Sequence, residues 1–116
     1  MTNFTENYFN AEDGLGIYFR DYGSKKLKKI PVLCLPGLTR NSKDFHRTAA
    51  HLSDERRVLA MDYRGRGKSA RDPDPYNYIP TTYLNDIRHL LALTGIHKVI
   101  IIGTSLGGLL AMGIAA

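Results

Sequence analysis

Between Val99 and Ala116 the chain reads VIIIGTSLGGLLAMGIAA, an uncharged run in which Ser105 stands between Gly103 and Gly107. The first part is β-branched and the second is rich in Leu, Ala and Gly, so a strand passes into a helix with almost no chain between them. A corner that tight needs a residue at positive φ, which glycine adopts at little cost. A serine stands there instead, and holding a non-glycine residue in such a conformation costs about 1–3 kcal/mol. Strain of that size is rarely retained for packing alone, which makes Ser105 the first candidate functional residue. Its hydroxyl is expected to project above the carboxyl edge of a sheet, at a helix N-terminus whose unpaired N–H groups and dipole favour developing negative charge. Gly103 and Gly107 fit a steric need, since side chains two residues either side of the serine would collide where strand and helix cross.

A membrane span is the rival reading of the same run. Its length approaches that of a span, and Gly103 and Gly107 have the G-x-x-x-G spacing of closely packed membrane helices. Thr104, Ser105 and four glycines interrupt the apolar character, however, and no anchoring residues follow. The corner reading is preferred.

Periodicity divides the rest of the chain into alternating elements. Two β-rich segments around Glu12, Asp13 and Gly14 predict an opening antiparallel hairpin carrying Tyr8, Phe9, Tyr18 and Phe19. IPVLCLPG reads as a strand covered on both faces, and Asn41 or Ser42 can cap a helix with Phe45, Ala49 and Leu52 on its apolar face. RRVLAMDYRG predicts a strand ending at Asp62. RGRGKSARDPDPYNYIP predicts a surface loop, because prolines, glycines and serine interrupt it. Thr81 or Thr82 is expected to cap the next helix, with Leu84, Ile87, Leu90 and Leu91 on one face and Gly95 as its left-handed stop. The resulting order, β-β-β-α-β-α-β-α, places the chain in the α/β class: an antiparallel opening hairpin, then parallel strands joined by helical crossovers.

Composition removes several function classes. The 16 Lys and Arg against 11 Asp and Glu give a net charge of +5, but the cations lie in separate runs, SKKLKK, ERR and RGRGK, so no nucleic-acid partner is expected. Lys25, Lys26, Lys28 and Lys29 are read as a solvated loop. Cys34, the single cysteine, is expected to be a buried thiol in a reducing compartment. MTNFTENYFN lacks the basic flank and apolar core of a signal peptide, so a cytoplasmic location is expected. The four histidines lack metal-ligand spacing, and neither a metal nor a cofactor is implied.

GTSLGG on this strand–helix corner, LCLPGLTRNSKDF after the third strand and MDYRGRGKSA after the fourth together resemble the α/β-hydrolase fold family, in its serine esterase and lipase branch. The resemblance covers nearly the whole chain. It implies that Ser105 is the nucleophile of a G-x-S-x-G elbow, that the elbow glycines are Gly103 and Gly107, and that the oxyanion donors are the backbone N–H groups of Leu106 and Leu38. Many relatives have His-Gly where this chain has Pro36-Gly37, a departure that a backbone donor at Leu38 tolerates. The counterpart of Asp62 looks structural, organising the YRGRGKS loop with Arg64 and Ser69.

The resemblance also implies partners for the serine that come later in the chain, an Asp or Glu and then a His. No upstream histidine replaces the base: His97 is expected at the opposite edge, His89 and His51 on helices, and His46, the nearest, on a helix surface. Residues 1–116 are therefore expected to be the N-terminal portion of a single hydrolase domain, inactive alone, with an incomplete sheet. A long apolar strand at the sheet's edge would permit self-association. The implied activity is hydrolysis of a small-molecule carboxylic ester or related acyl substrate, with no cofactor, nucleic acid or membrane. A serine at the elbow argues against the family's epoxide hydrolases and haloalkane dehalogenases, which use a carboxylate. Two alternatives stand beside it: a non-catalytic relative that keeps the pocket for ligand binding, and a P-loop protein suggested by Gly67-Lys68-Ser69. The P-loop's first glycine is Asp62 here, which would repel a phosphate.

Overall fold

A computed structural model of the chain describes residues 4–115. Strands β1 (Phe4–Asn10) and β2 (Gly16–Tyr22) form the predicted hairpin, paired from Phe4 with Tyr22 to Asn10 with Gly16. Strands β3 (Val32–Leu35), β4 (Val58–Met61) and β5 (Ile100–Gly103) are mutually parallel, and the sheet order is β1-β2-β4-β3-β5. The hairpin joins the parallel part through an antiparallel β2–β4 pair, with Tyr22 opposite Val58.

Alternation along β3 and β4 explains how one sheet makes two cores. Val32, Cys34, Val58 and Ala60 join Phe45 and Ala49 under helix α1 (His46–Leu52). Leu33, Leu35, Leu59 and Met61 point the other way, onto Tyr83, Ile87 and Leu90 of helix α2 (Pro80–Leu93) and Leu110 of helix α3 (Leu106–Ala115). All eight strand residues are buried, which is why these segments read as continuous apolar runs. Burial in the first core pushes the Cys34 thiol up to about 12, so it is un-ionised at neutral pH.

Four local expectations change. Asn41 does cap, accepting the Lys43 N–H at 3.0 Å, but the first turn beyond it, Ser42–Phe45, is 3₁₀ rather than α. Neither Thr81 nor Thr82 caps α2: the helix begins at Pro80 after an extended Ile79, because proline's fixed φ suits the first helical position and its missing N–H costs nothing there. The segment after β4 is a loop, but not wholly a surface one, since Arg64 and Ser69 are buried. The edge strand β5 is apolar but short, four residues, with Ile100 exposed. Gly95, at φ +72°, stops α2 as expected. No described helix is long and apolar enough to cross a membrane.

Candidate active site

Parallel register decides which residues can meet. Val32 lies opposite both Val58 and Ile100, so the residues that follow the three strands emerge at one carboxyl edge: Pro36–Leu38, Asp62 and Thr104–Ser105. In open parallel sheets that edge is where ligands bind.

Ser105 is the one non-glycine residue at positive φ among the described residues, at +53°, and its side chain is exposed. Two clearances permit the corner. A Cβ on Gly103 would overlap the Gly107 carbonyl and come 2.6 Å from the Gly108 nitrogen, and one on Gly107 would overlap the Leu35 carbonyl. The Thr104 N–H donates to Leu35 O at 3.2 Å, tying the corner to the end of β3. The Gly107 and Gly108 N–H groups fold back onto Thr104 O and Ser105 O at 2.9 and 3.0 Å. Leu106, the first residue of α3, presents its N–H ahead of them, where no turn of helix precedes to accept it.

The loop after β3 lies against the same corner. A Cβ on Gly37 would come 3.8 Å from Ser105 Cβ and 3.7 Å from Thr104 O. Arg40 N–H closes a turn onto Gly37 O at 3.1 Å, and Leu38 at the turn's crest is exposed. Two consecutive residues pin this loop at its ends. Tyr63, fully buried and stacked on Tyr83 at 5.4 Å, donates its hydroxyl to Pro36 O at 2.7 Å. Asp62 accepts the Ser42 N–H at 2.7 Å with Oδ1. Sequence reasoning missed Tyr63; a buried tyrosine must find a partner for its hydroxyl, and that requirement was the available signal.

The segment after β4 is organised by the residues expected, in a different arrangement. Asp62 Oδ2 accepts the Lys68 N–H at 2.9 Å, and Ser69 Oγ donates to Asp62 O at 2.7 Å while accepting the Tyr18 N–H at 2.8 Å. Gly67, at φ +49°, has no room for a Cβ because the Asp62 carboxylate occupies that space. Arg64 does not contact Asp62. Its guanidinium instead holds Asp86 with two bonds of 2.6 and 2.8 Å, and Asp13 and Asp72 with 2.7 Å each. Burial pushes the Asp86 carboxyl up, whereas the Arg64 hydrogen bond holds that of Asp13 below the usual range. The P-loop reading fails here. The Lys68 N–H is spent on Asp62, its ammonium pairs with Glu6, and no helix opens before Pro75.

The histidines are not brought to Ser105. His46 Nδ1 and the Tyr22 hydroxyl share a hydrogen bond of 2.9 Å, and Tyr22 pairs with the first residue of β4. His89 packs its ring, tilted, against Phe9 of β1, the edge strand opposite β5. His51 and His97 lie by the amino ends of the parallel strands. No group of residues suited to hold a metal occurs among the described residues.

The alpha/beta hydrolase fold family model matches residues 30–116. The chain belongs to the α/β-hydrolase fold family. Among its relatives, a 3-hydroxybutyrate-oligomer hydrolase of Cupriavidus necator is 39% identical over 97 residues, covering 84% of this chain and 33% of that protein. An sn-1-specific diacylglycerol lipase of Danio rerio is 38% identical over 84 residues, covering 71% of this chain and 26% of that protein. The crystal structure of an α/β hydrolase from Novosphingobium aromaticivorans superposes with a TM-score of 0.94 at 47% identity, covering 99% of this chain and 40% of the other. This α/β-hydrolase chain thus spans about a third of the length of the curated relatives it matches.

Proposed function

We propose that this chain supplies the nucleophile and oxyanion cradle of a serine hydrolase acting on carboxylic esters or related acyl compounds. The observation that carries the reading is the backbone of Ser105: a non-glycine residue at φ +53°, exposed between a strand end and a helix start. In the proposed reaction Ser105 Oγ attacks the acyl carbon, its proton passes to a general base, and the carbonyl oxygen becomes an oxyanion facing the N–H groups of Leu106 and Leu38. Collapse of that intermediate releases the alcohol and leaves an acyl-enzyme on Ser105, which water hydrolyses. Donors fixed in place before reaction are worth about 2.7–4 kcal/mol each in a comparable hydrolase. The approach of Gly37 to Ser105 supports Leu38 as the second donor, and the Tyr63 and Asp62 anchors hold its loop.

The base and its orienting acid are proposed to come from residues beyond 116 in a longer protein, with residues 1–116 as the N-terminal portion of one hydrolase domain. The positions of the four histidines and the share of relatives covered support this. A serine, rather than a carboxylate, at this corner favours acyl over epoxide or haloalkane chemistry. The hydrolase and lipase names of the relatives point the same way. No cofactor enters the scheme, the partner is a small ester-type substrate rather than nucleic acid or membrane, and the free edge of β5 is where a further strand or a second copy would pair. The test is reaction of the intact protein carrying this chain with a fluorophosphonate, followed by peptide mass mapping. Modification at Ser105 is expected. A folded protein that stays unlabelled overturns the reading and favours a non-catalytic ligand-binding relative.

A further inference from the structure

The register that gathers Pro36–Leu38, Asp62 and Ser105 at the carboxyl edge gathers another set at the amino edge. Residues preceding β3, β4 and β5 are brought side by side there, with Val32 N–H donating to Arg57 O and Ile100 N–H to Pro31 O, both at 2.9 Å. Those preceding segments are the basic ones. Lys25, Lys28, Arg57, His97 and Lys98 line one open cavity of about 510 Å³ together with Leu27, Ile30, Pro31 and Ile96. No carboxylate lines it. Arg57 is committed elsewhere: its guanidinium is clamped by Asp21 at 2.8 and 3.1 Å and reaches Thr94 O, which quiets the carbonyl end of α2. Lys29, which also lines the cavity, has an exposed partner in Glu55. Lys25, Lys28 and Lys98 have no acidic partner among the described residues.

From this geometry we infer that the amino edge carries a second binding site, for an amphiphilic anion: a carboxylate or phosphate head held by Lys25, Lys28 and Lys98, with a short apolar tail on Leu27, Ile30 and Ile96. Charge complementarity and an apolar lining both favour such a ligand. Lys25, Lys28 and Lys98 offer ammonium donors without an acidic partner on one cavity, which an anionic head would pair, and the aliphatic lining would be buried by a tail that a bare ion lacks. The volume falls within the range of small-ligand sites, about 300–1,000 Å³. The site is independent of the chemistry proposed at Ser105, from which the sheet separates it.

The probes are decanoate below its micellar concentration, decyl phosphate, and inorganic phosphate, followed by amide chemical shifts in the ¹⁵N-labelled intact protein carrying this chain. Decanoate or decyl phosphate is expected to shift residues 25–31 and 96–98, and the stronger of the two identifies the head group. Inorganic phosphate is expected to bind at least ~10-fold more weakly, since it lacks the tail. Lys28→Glu and Lys98→Glu should each weaken binding ~10-fold or more. Lys26→Glu, in the same run but outside the cavity, should leave it unchanged, and the same spectra report whether each variant is folded. Equal binding of inorganic phosphate and decanoate, or equal losses with Lys26→Glu, overturns the proposal. So do shifts confined to residues 36–38 and 104–106, because they place the ligand at the ester site.

Discussion

Of the three turns that leave the carboxyl edge of this sheet, those after β4 and β5 are built in opposite ways. The one after β4 is held by bonds: Asp62 and Ser69 close it, and Arg64 gathers three carboxylates beside it, with its own side chain only 2% exposed. The one after β5 is held by clearances: two glycines let the backbones touch, and the residue between them is strained and open to solvent. The bonded turn positions its neighbours, including the loop that lies against Ser105. The strained turn presents a single side chain and ties it down as little as possible. Scaffold and reactive group are thus separated, so that the first can be satisfied internally while the second remains available to a ligand.

Substitutions at the two turns test this contrast, and the largest effect is expected at the serine. Ser105→Ala should abolish fluorophosphonate labelling and lower the intact protein's esterase activity by ~10⁴-fold or more, measured as kcat/KM. Ser105→Gly should abolish labelling as well, yet raise unfolding stability by about 1 kcal/mol in a denaturant titration, because glycine relaxes the strain. A stabilising loss of function marks the strained turn. Nothing comparable is available at the bonded one: Arg64→Met should cost about 3–5 kcal/mol in the same titration, by leaving Asp72 and Asp86 buried without their cation. If Arg64→Met proves neutral, that turn is not bond-limited and the comparison breaks.

The next effect separates two adjacent glycines. Gly107→Ala should destabilise by about 1–3 kcal/mol, since its Cβ has the Leu35 carbonyl in its place. Gly108→Ala meets only Gly103 O at 3.7 Å and should stabilise α3 by about 0.5–1 kcal/mol. Equal effects at the two positions would show that helix propensity, not clearance, governs the corner.

The smallest effect concerns acid. Asp13 titrates below its ordinary value because Arg64 hydrogen-bonds it, so its contribution to stability is complete above the unfolded pKa of about 3.9 and is lost as pH falls through the lower folded value. Asp13→Asn should therefore flatten the acid side of the stability–pH curve without changing its slope above pH 5. An unchanged acid limb would place the loss of stability on other carboxylates.

Much of this was legible before any coordinates. β3 and β4 are continuous apolar runs because each face meets its own core, and Gly95 ends α2 by taking the left-handed conformation just past its last turn. The strained serine and its flanking glycines were readable because the requirement is local, confined to a few residues of backbone. The start of α2 was misread for a reason equally local: proline at the first helical position outweighed a threonine cap. What escaped was everything set by pairing. Tyr63 beneath Pro36 and Arg64 reaching Asp13 and Asp86 join residues far apart in the chain.

The sequence by itself determined the alternation of strands and helices, the family and the identity of the exposed serine, because periodicity and backbone strain act over a few residues. Only the tertiary structure decided that Lys25 and Lys28, Arg57, and His97 and Lys98, from three separate segments, share one rim and that Asp62 and Tyr63 brace the loop beside Ser105. Those contacts depend on the β1-β2-β4-β3-β5 order and its register, and strand pairing is a choice among distant segments that no local pattern records.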